Sequence, residues 1–135
     1  MKVVLDTNVL VSGIFFRGAP GQIIDHWIHK KFSVYASPAI LAEYLRVIEA
    51  LAPKGNAEIP QRWNSLLPKL CHVLADPDKK QAISFSRDSN DDKFIWCAFR
   101  AKVDCLVTGD EDLKVLSGTF PFKIASPREF LRLLD

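Results

Sequence analysis

Residues 1–8 read Met-Lys-Val-Val-Leu-Asp-Thr-Asn, a short apolar run that leads directly into an aspartate. The β-branched residues of this run predict a strand over residues 2–5. Asp6 therefore lies at the end of the strand and not within it. Because ligands of α/β sheets bind outside the carboxyl ends of parallel strands, Asp6 is the first candidate for a functional residue.

Further strand-like runs alternate with helical patterns along the chain, at residues 32–36, 104–108 and 122–125. This alternation predicts an α/β fold with a mostly parallel central sheet, flanked by helices on both faces in three layers. The chain has 135 residues, which is an ordinary length for one domain. We therefore expect residues 1–135 to form a single domain.

Helix signals lie between the strand-like runs. Ser37-Pro38 supplies an N-cap followed by proline at the first helical position, which predicts a helix start. Pro68 predicts a kink or break in a later helical pattern. Apolar residues at helical spacing predict buried stripes, and these stripes include Ile28, Leu51 and Phe99.

The charge balance neither requires nor excludes a polyanionic partner. The chain has 18 basic and 16 acidic residues, for a formal net charge of +2. Distribution matters more than this total, because a basic rim can bind phosphates. The candidates for such a rim are Lys30, Lys31, Lys79, Lys80, Arg87 and Lys93.

Three cysteines, Cys71, Cys97 and Cys105, lack the short spacing of a zinc site and are expected to be reduced thiols of the core. No apolar run reaches the 18 or so residues that a membrane span needs, and the chain enters a strand without a signal peptide. We therefore expect a cytoplasmic protein without a membrane partner.

Several acidic residues are candidates for a site, although each also has a simpler explanation. Asp6 and Asp110 follow predicted strands, where a carboxylate can act as a helix cap. Glu43 lies outside the centre of its helix's apolar stripe, which permits simple exposure. Asp91 and Asp92 open a helix, where the helix dipole favours negative charge.

Together, Asp6, Glu43, Asp92 and Asp110 fall at the end of the sheet that a parallel arrangement brings together. Like charges in one crevice repel each other unless a cation neutralises them. Hard oxygen ligands suit Mg²⁺ or Mn²⁺, which bind through a few carboxylates and phosphate oxygens of the substrate. The corresponding chemistry is metal-assisted hydrolysis of a phosphodiester bond.

Four segments in this order resemble the PIN domain, a family of metal-dependent ribonucleases that includes toxins of prokaryotic toxin-antitoxin pairs. They are residues 5–10, Ser37-Pro38 followed by Glu43, residues 91–95, and residues 106–113. The resemblance covers nearly the whole chain and is closest to the toxin-type branch. It implies an RNA substrate, a cognate antitoxin protein and a homodimer.

The resemblance also implies roles for individual residues. Asp6, Glu43, Asp92 and Asp110 would form the catalytic metal site, with Asp112 as a further candidate ligand. Asn8 and Thr108 would be polar supports that orient carboxylates or water. Asp92 is preferred as the third acid, because its separation from Asp110 along the sequence matches the usual separation in the family. Asp91 remains an alternative, because it projects closer to the apolar stripe of its helix.

Two other functions are considered. A phosphohydrolase with Asp6 as covalent nucleophile is disfavoured, because that chemistry needs a second acid two residues later and position 8 is Asn8. A non-catalytic PIN-like domain that binds RNA or protein is the alternative to the nuclease. The full set of acids argues against it.

Overall fold

The computed structural model describes residues 1–78 and 89–135. The strands in these ranges are β1 (Lys2–Leu5), β2 (Ser33–Ala36), β3 (Cys71–Val73), β4 (Cys105–Val107) and β5 (Lys123–Ala125). The helices are α1 (Thr7–Phe15), α2 (Gly18–Ile28), α3 (Pro38–Leu51), α4 (Glu58–Leu70), α5 (Asp92–Ala101), α6 (Glu111–Lys114) and α7 (Pro127–Leu134). A 3₁₀ turn at Ser89–Asp91 precedes α5. The candidate basic residues Lys79, Lys80 and Arg87 lie outside the described residues.

The strands form one sheet in the order β3-β2-β1-β4-β5, and every pairing is parallel. The predicted parallel α/β architecture is confirmed. Four of the strands coincide with the predicted runs to within one or two residues. The sequence did not predict β3, which follows α4 without a turn signal and pairs with β2 at the edge of the sheet.

The strand order changes direction between β1 and β4. From β1 the chain continues to β2 and β3 on one side, and after β3 it returns past β1 to β4 and β5. The connections between parallel strands are almost always right-handed. The helices that connect β1 to β2 and β3 therefore cover one face of the sheet, and those that lead to β4 and β5 cover the opposite face. The point of reversal lies between the carboxyl ends of β1 and β4, which is where open α/β sheets bind ligands.

The centre of the sheet is buried, and α3 is joined to it by one side chain. Residues of β1 from Val3 to Leu5 have no exposed surface. The Ser37 side chain accepts a hydrogen bond from the Ile40 N–H, which confirms the predicted cap of α3. One turn later, the fully buried Tyr44 donates its hydroxyl proton to the Leu5 carbonyl oxygen. This bond joins α3 to the last residue of β1.

Helix ends extend beyond the sheet, and the predicted stripes are wrong there. Ile28, Leu51 and Phe99 are 49%, 45% and 50% exposed, and all three lie in the last turns of their helices. The 14 residues of α3 span about 21 Å, whereas a four-residue strand spans only about 13 Å. The predicted break at Pro68 does not end α4, which continues to Leu70. None of the helices in the two described ranges is long and apolar enough to cross a membrane.

Candidate functional site

Asp6 occupies the junction between β1 and α1, with an extended backbone and only 5% of its surface exposed. Its N–H donates to the Val107 carbonyl oxygen at 2.9 Å, so the pairing of β1 with β4 continues one residue beyond the strand. The carboxylate makes no side-chain cap bond to α1. It accepts a hydrogen bond from the Thr108 hydroxyl at 2.7 Å instead. The carboxylate is therefore directed towards β4.

Thr108 connects Asp6 to Asp110. This residue is fully buried, and its oxygen accepts the N–H of Asp110 at 2.9 Å while its proton goes to Asp6. Asp110 in turn uses Oδ1 to accept the N–H of Asp112 at 2.9 Å, which caps the short helix α6. Because a hydroxyl has only one proton to donate, these two bonds fix the orientation of Thr108 and, through it, of the Asp6 carboxylate.

The pKa of the Asp6 carboxyl is raised, and burial is the largest cause because it disfavours the charged form. The hydrogen bond from Thr108 acts in the opposite direction. The negative charges of Asp110 and Glu43 then raise this pKa further. Three carboxylates from separate segments of the chain thus act on one another at the reversal point of the sheet.

Glu43 lies on α3 and is bound by two side chains. Its Oε2 accepts the hydroxyl proton of Thr7, and its Oε1 contacts the Lys93 ammonium nitrogen at 2.7 Å. The side chains of Glu43 and Lys93 are only 18% and 21% exposed. The simple exposure considered for Glu43 is therefore wrong. Lys93, predicted for a basic rim, is thus a contact of Glu43, which no pattern in the sequence indicated.

The basic rim is only partly brought to this site. Lys30 and Lys31 precede β2, so they lie at the opposite edge of the sheet from Asp6. Lys93 is the candidate within the described ranges that contacts one of the acids. The Lys93 ammonium also donates to the Asn90 carbonyl oxygen at 2.7 Å and lies 5.2 Å from the centre of the Phe94 ring.

The remaining predicted residues differ in burial. Asp91 ends the 3₁₀ turn and is 7% exposed, whereas Asp92 begins α5 and is half-buried. Asp112 and Asn8 are exposed. Asp91, which was the alternative to Asp92 as the third acid, is therefore the more buried of the two.

The donor set has the chemistry of a Mg²⁺ or Mn²⁺ site, since carboxylate oxygens are the ligands these ions prefer. As the side chains stand, no three acidic, histidine or cysteine side chains among residues 1–78 and 89–135 are grouped closely enough to hold one ion together. In this arrangement Glu43 contacts Thr7 and Lys93, and one oxygen of Asp110 accepts the Asp112 N–H at the start of α6.

The cysteines take no part in this site. Cys71, Cys97 and Cys105 are all buried and free, as predicted. Burial raises the pKa of each thiol to about 12. Because the thiolate is the reactive form, none of the three is a nucleophile at neutral pH.

The geometry defines an α/β protein with a carboxylate-rich crevice at the reversal point of a parallel sheet. The sequence matches the family model of the PIN domain over residues 2–112. The chain therefore belongs to the PIN domain family, whose members are typically nucleases that use divalent metal ions.

Solved structures share the fold at low sequence identity. VapBC2 from Rickettsia felis, bound to a DNA fragment from its promoter, is 14% identical with a TM-score of 0.61, and the match covers 93% of this chain and 98% of that one. PAE2754 from Pyrobaculum aerophilum is 14% identical with a TM-score of 0.62, covering 98% and 88%. FitAB bound to the IR36 DNA fragment is 16% identical with a TM-score of 0.59, covering 93% and 94%. No curated protein sequence matches the chain.

Proposed function

We propose that this chain is a metal-dependent endoribonuclease that hydrolyses phosphodiester bonds in RNA. The observation that carries the proposal is the buried Asp6 carboxylate at the reversal point of the sheet, whose pKa is raised by its burial and by the charges of Asp110 and Glu43. A buried carboxylate beside two others is unfavourable for folding unless it has a functional partner. A divalent cation is the partner that this donor set fits.

Asp6 and Asp110 are the central ligands of the proposed site, with Glu43 and Asp112 as further candidates. The third acid comes from the start of α5. Asp91 is the stronger candidate there, because it is buried whereas Asp92 is half-buried. The two are separated by comparing Asp91→Asn with Asp92→Asn, of which we expect the first to lose more Mn²⁺ affinity.

A bound Mg²⁺ or Mn²⁺ would supply the positive charge that activates water and stabilises the leaving oxygen. The role of the chain's own residues is to hold the carboxylates of the site in fixed orientations. Thr108 orients the Asp6 carboxylate through its hydrogen bond, and the cap of α6 holds one oxygen of Asp110. The Asn8 side chain is exposed next to Asp6 and is proposed to orient water.

We further propose that the chain is the toxin of a toxin-antitoxin pair, that it acts in the cytoplasm as a homodimer, and that a cognate antitoxin binds it. The support comes from the family together with the VapBC2 and FitAB structures, which are toxin-antitoxin complexes on DNA. Purification of the tagged chain together with a small protein that reduces its RNA cleavage when added back tests the partner.

The nuclease proposal is tested by incubating total RNA with the wild-type chain and with Asp6→Asn, in Mn²⁺ and in EDTA. Asp25→Asn is a matched control, because Asp25 is an exposed acid that contacts only Arg17 through its side chain in the described residues. We expect Mn²⁺-dependent cleavage by the wild type and by Asp25→Asn, and none by Asp6→Asn. Equal cleavage by all three, or cleavage that EDTA does not reduce, contradicts the mechanism. Retention of RNA without cleavage by the wild type indicates the binding domain instead.

A further inference from the structure

The acids of the site fall into two groups with different partners. Asp6 and Asp110 are joined through Thr108, whose hydroxyl is their shared neutral partner. Glu43 instead contacts the Thr7 hydroxyl with one oxygen and the Lys93 ammonium with the other. Within residues 1–78 and 89–135, Glu43 is the one of these three carboxylates that is paired with a cation.

Lys93 has an unusual position for a lysine. It is the second residue of α5, and the partial positive charge of a helix N-terminus disfavours a cation there. Its position is explained by three contacts: the Glu43 carboxylate at 2.7 Å, the Asn90 carbonyl oxygen at 2.7 Å and the face of the Phe94 ring at 5.2 Å. With 21% of its side chain exposed, Lys93 is held in the crevice and does not extend into solvent.

We propose that Lys93 is a positioning residue that acts as the resident cation of Glu43 and competes with a divalent ion for this carboxylate. This inference rests on the proposed metal-dependent function. Each oxygen of Glu43 has a partner in the structure, and the partner of Oε1 is the Lys93 ammonium at 2.7 Å, so a divalent ion that binds Glu43 has to compete with or repel this cation. Among the described residues, the side-chain partners of Asp6 and Asp110 are a hydroxyl and a backbone N–H, and neither is a cation. The ion is therefore captured first on the β1 and β4 side of the crevice.

The inference predicts that removing the charge of Lys93 strengthens metal binding through Glu43. Lys93→Gln keeps most of the side-chain volume and loses the charge. We expect it to lower the Kd for Mn²⁺ by about tenfold, since changes next to a metal ligand alter affinity on this scale. Lys93→Arg keeps the charge and should bind Mn²⁺ like the wild type. Lys69→Gln, an exposed lysine on α4, is the matched control for the loss of one positive charge.

The experiment is a Mn²⁺ titration followed by the electron paramagnetic resonance of the free ion, without RNA and without an activity readout. It compares the wild type, Lys93→Gln, Glu43→Gln and the double variant. In a double-mutant cycle, an effect that passes through Glu43 disappears when Glu43 is replaced. Lys93→Gln should therefore gain affinity in the Glu43 background and gain less than about threefold in the Gln background. Thermal unfolding in EDTA checks that each variant is folded.

Two results overturn the inference while the proposed function stands. One is an unchanged Mn²⁺ Kd in Lys93→Gln, and the other is an equal gain in both backgrounds, which would mean that Lys93 acts by its field alone. A third result has a different meaning. If neither the wild type nor any variant binds Mn²⁺, the proposed function fails and the inference fails with it.

Discussion

Two aspartates flank the same pair of strands, and their surroundings are opposite. Asp104 precedes β4 and donates its N–H to the Lys2 carbonyl oxygen at 2.8 Å, while Asp6 follows β1 and donates its N–H to Val107 at 2.9 Å. The Asp104 carboxylate is exposed and accepts the N–H of Lys2 at 2.8 Å. Asp6 is buried and has acids around it. The difference teaches that hydrogen bonding to the neighbouring strand is enough to explain Asp104, whereas it does not explain the burial of Asp6 among other acids.

The largest expected difference between the two aspartates is in catalysis. Asp6→Asn should lower RNA cleavage at least about a hundredfold, because a ligand charge for the metal is lost. Asp104→Asn should cleave within about twofold of the wild type, since an asparagine oxygen can still accept the Lys2 N–H. Initial rates in Mn²⁺ measure both. Similar losses in the two variants would remove the distinction on which the site assignment rests.

A substitution at Thr108 removes the hydrogen bond to the Asp6 carboxylate and so sharpens the contrast with Asp104, whose carboxylate keeps its bond to the Lys2 N–H. Thr108→Val keeps the shape but removes the donor to Asp6 and the acceptor for the Asp110 N–H. We expect the free energy of unfolding to fall by about 1–3 kcal/mol, because buried polar groups lose their partners. Urea unfolding measures the change, and Thr119→Val at an exposed position is the control. Equal stability of the two variants would argue against the Thr108 contacts.

The pH dependence of stability provides a smaller test. The folded-state pKa of Asp6 is raised above its ordinary value of 3.8, so its contribution is most favourable below that pH and is lost as the pH rises through the folded-state pKa. In EDTA at neutral pH, Asp6→Asn should therefore be more stable than the wild type by about 0.5–2 kcal/mol. The advantage should shrink as the pH falls towards 4. An advantage that does not vary with pH would contradict the raised pKa.

The smallest effect concerns a second solvated acid, Glu129, which extends the comparison. Hydrogen bonds from the Lys114 ammonium and from Ser126, whose N–H donates to Glu129 Oε1, lower the pKa of Glu129 to about 2. Its contribution to stability is present above the ordinary value of 4.5 and is lost as the pH falls through about 2. Lys114→Met should raise this pKa and lower stability at neutral pH slightly, because a pair that solvent screens contributes little, and the loss should disappear as the pH falls through about 2. A carboxyl titration by NMR measures it, and an unchanged pKa of Glu129 would contradict the assigned cause.

Local pattern predicted the edge of the sheet where Asp6 and Asp110 lie, because both follow apolar runs and parallel strands share their carboxyl edge. It did not predict α1, although Thr7 begins a nine-residue helix directly after Asp6. The valines there suit strands as well as helices, and packing against α2 and α3 selects the helix. β3 was missed for a related reason, since its three residues become a strand only by pairing with β2.

Contacts between side chains were less predictable than the positions of strand ends. The pairing of Glu43 with Lys93 depends on how α3 and α5 approach one another, and no periodicity within either helix carries that information. The choice between Asp91 and Asp92 is a different case, because the sequence carried a signal for each. Spacing from Asp110 favours Asp92, whereas the projection of Asp91 towards the apolar stripe of its helix agrees with its burial in the structure.

The hydroxyl of Tyr44 limits how far the site can change its dimensions. Tyr44 is bonded to the carbonyl of Leu5, and each of these residues is the covalent neighbour of a site acid, Glu43 and Asp6. A slide of α3 along its axis would have to break this buried bond before it altered the spacing of the two carboxylates. Tyr44→Phe should therefore make the spacing less uniform without touching any acid, and ions of different radius would then be less well discriminated.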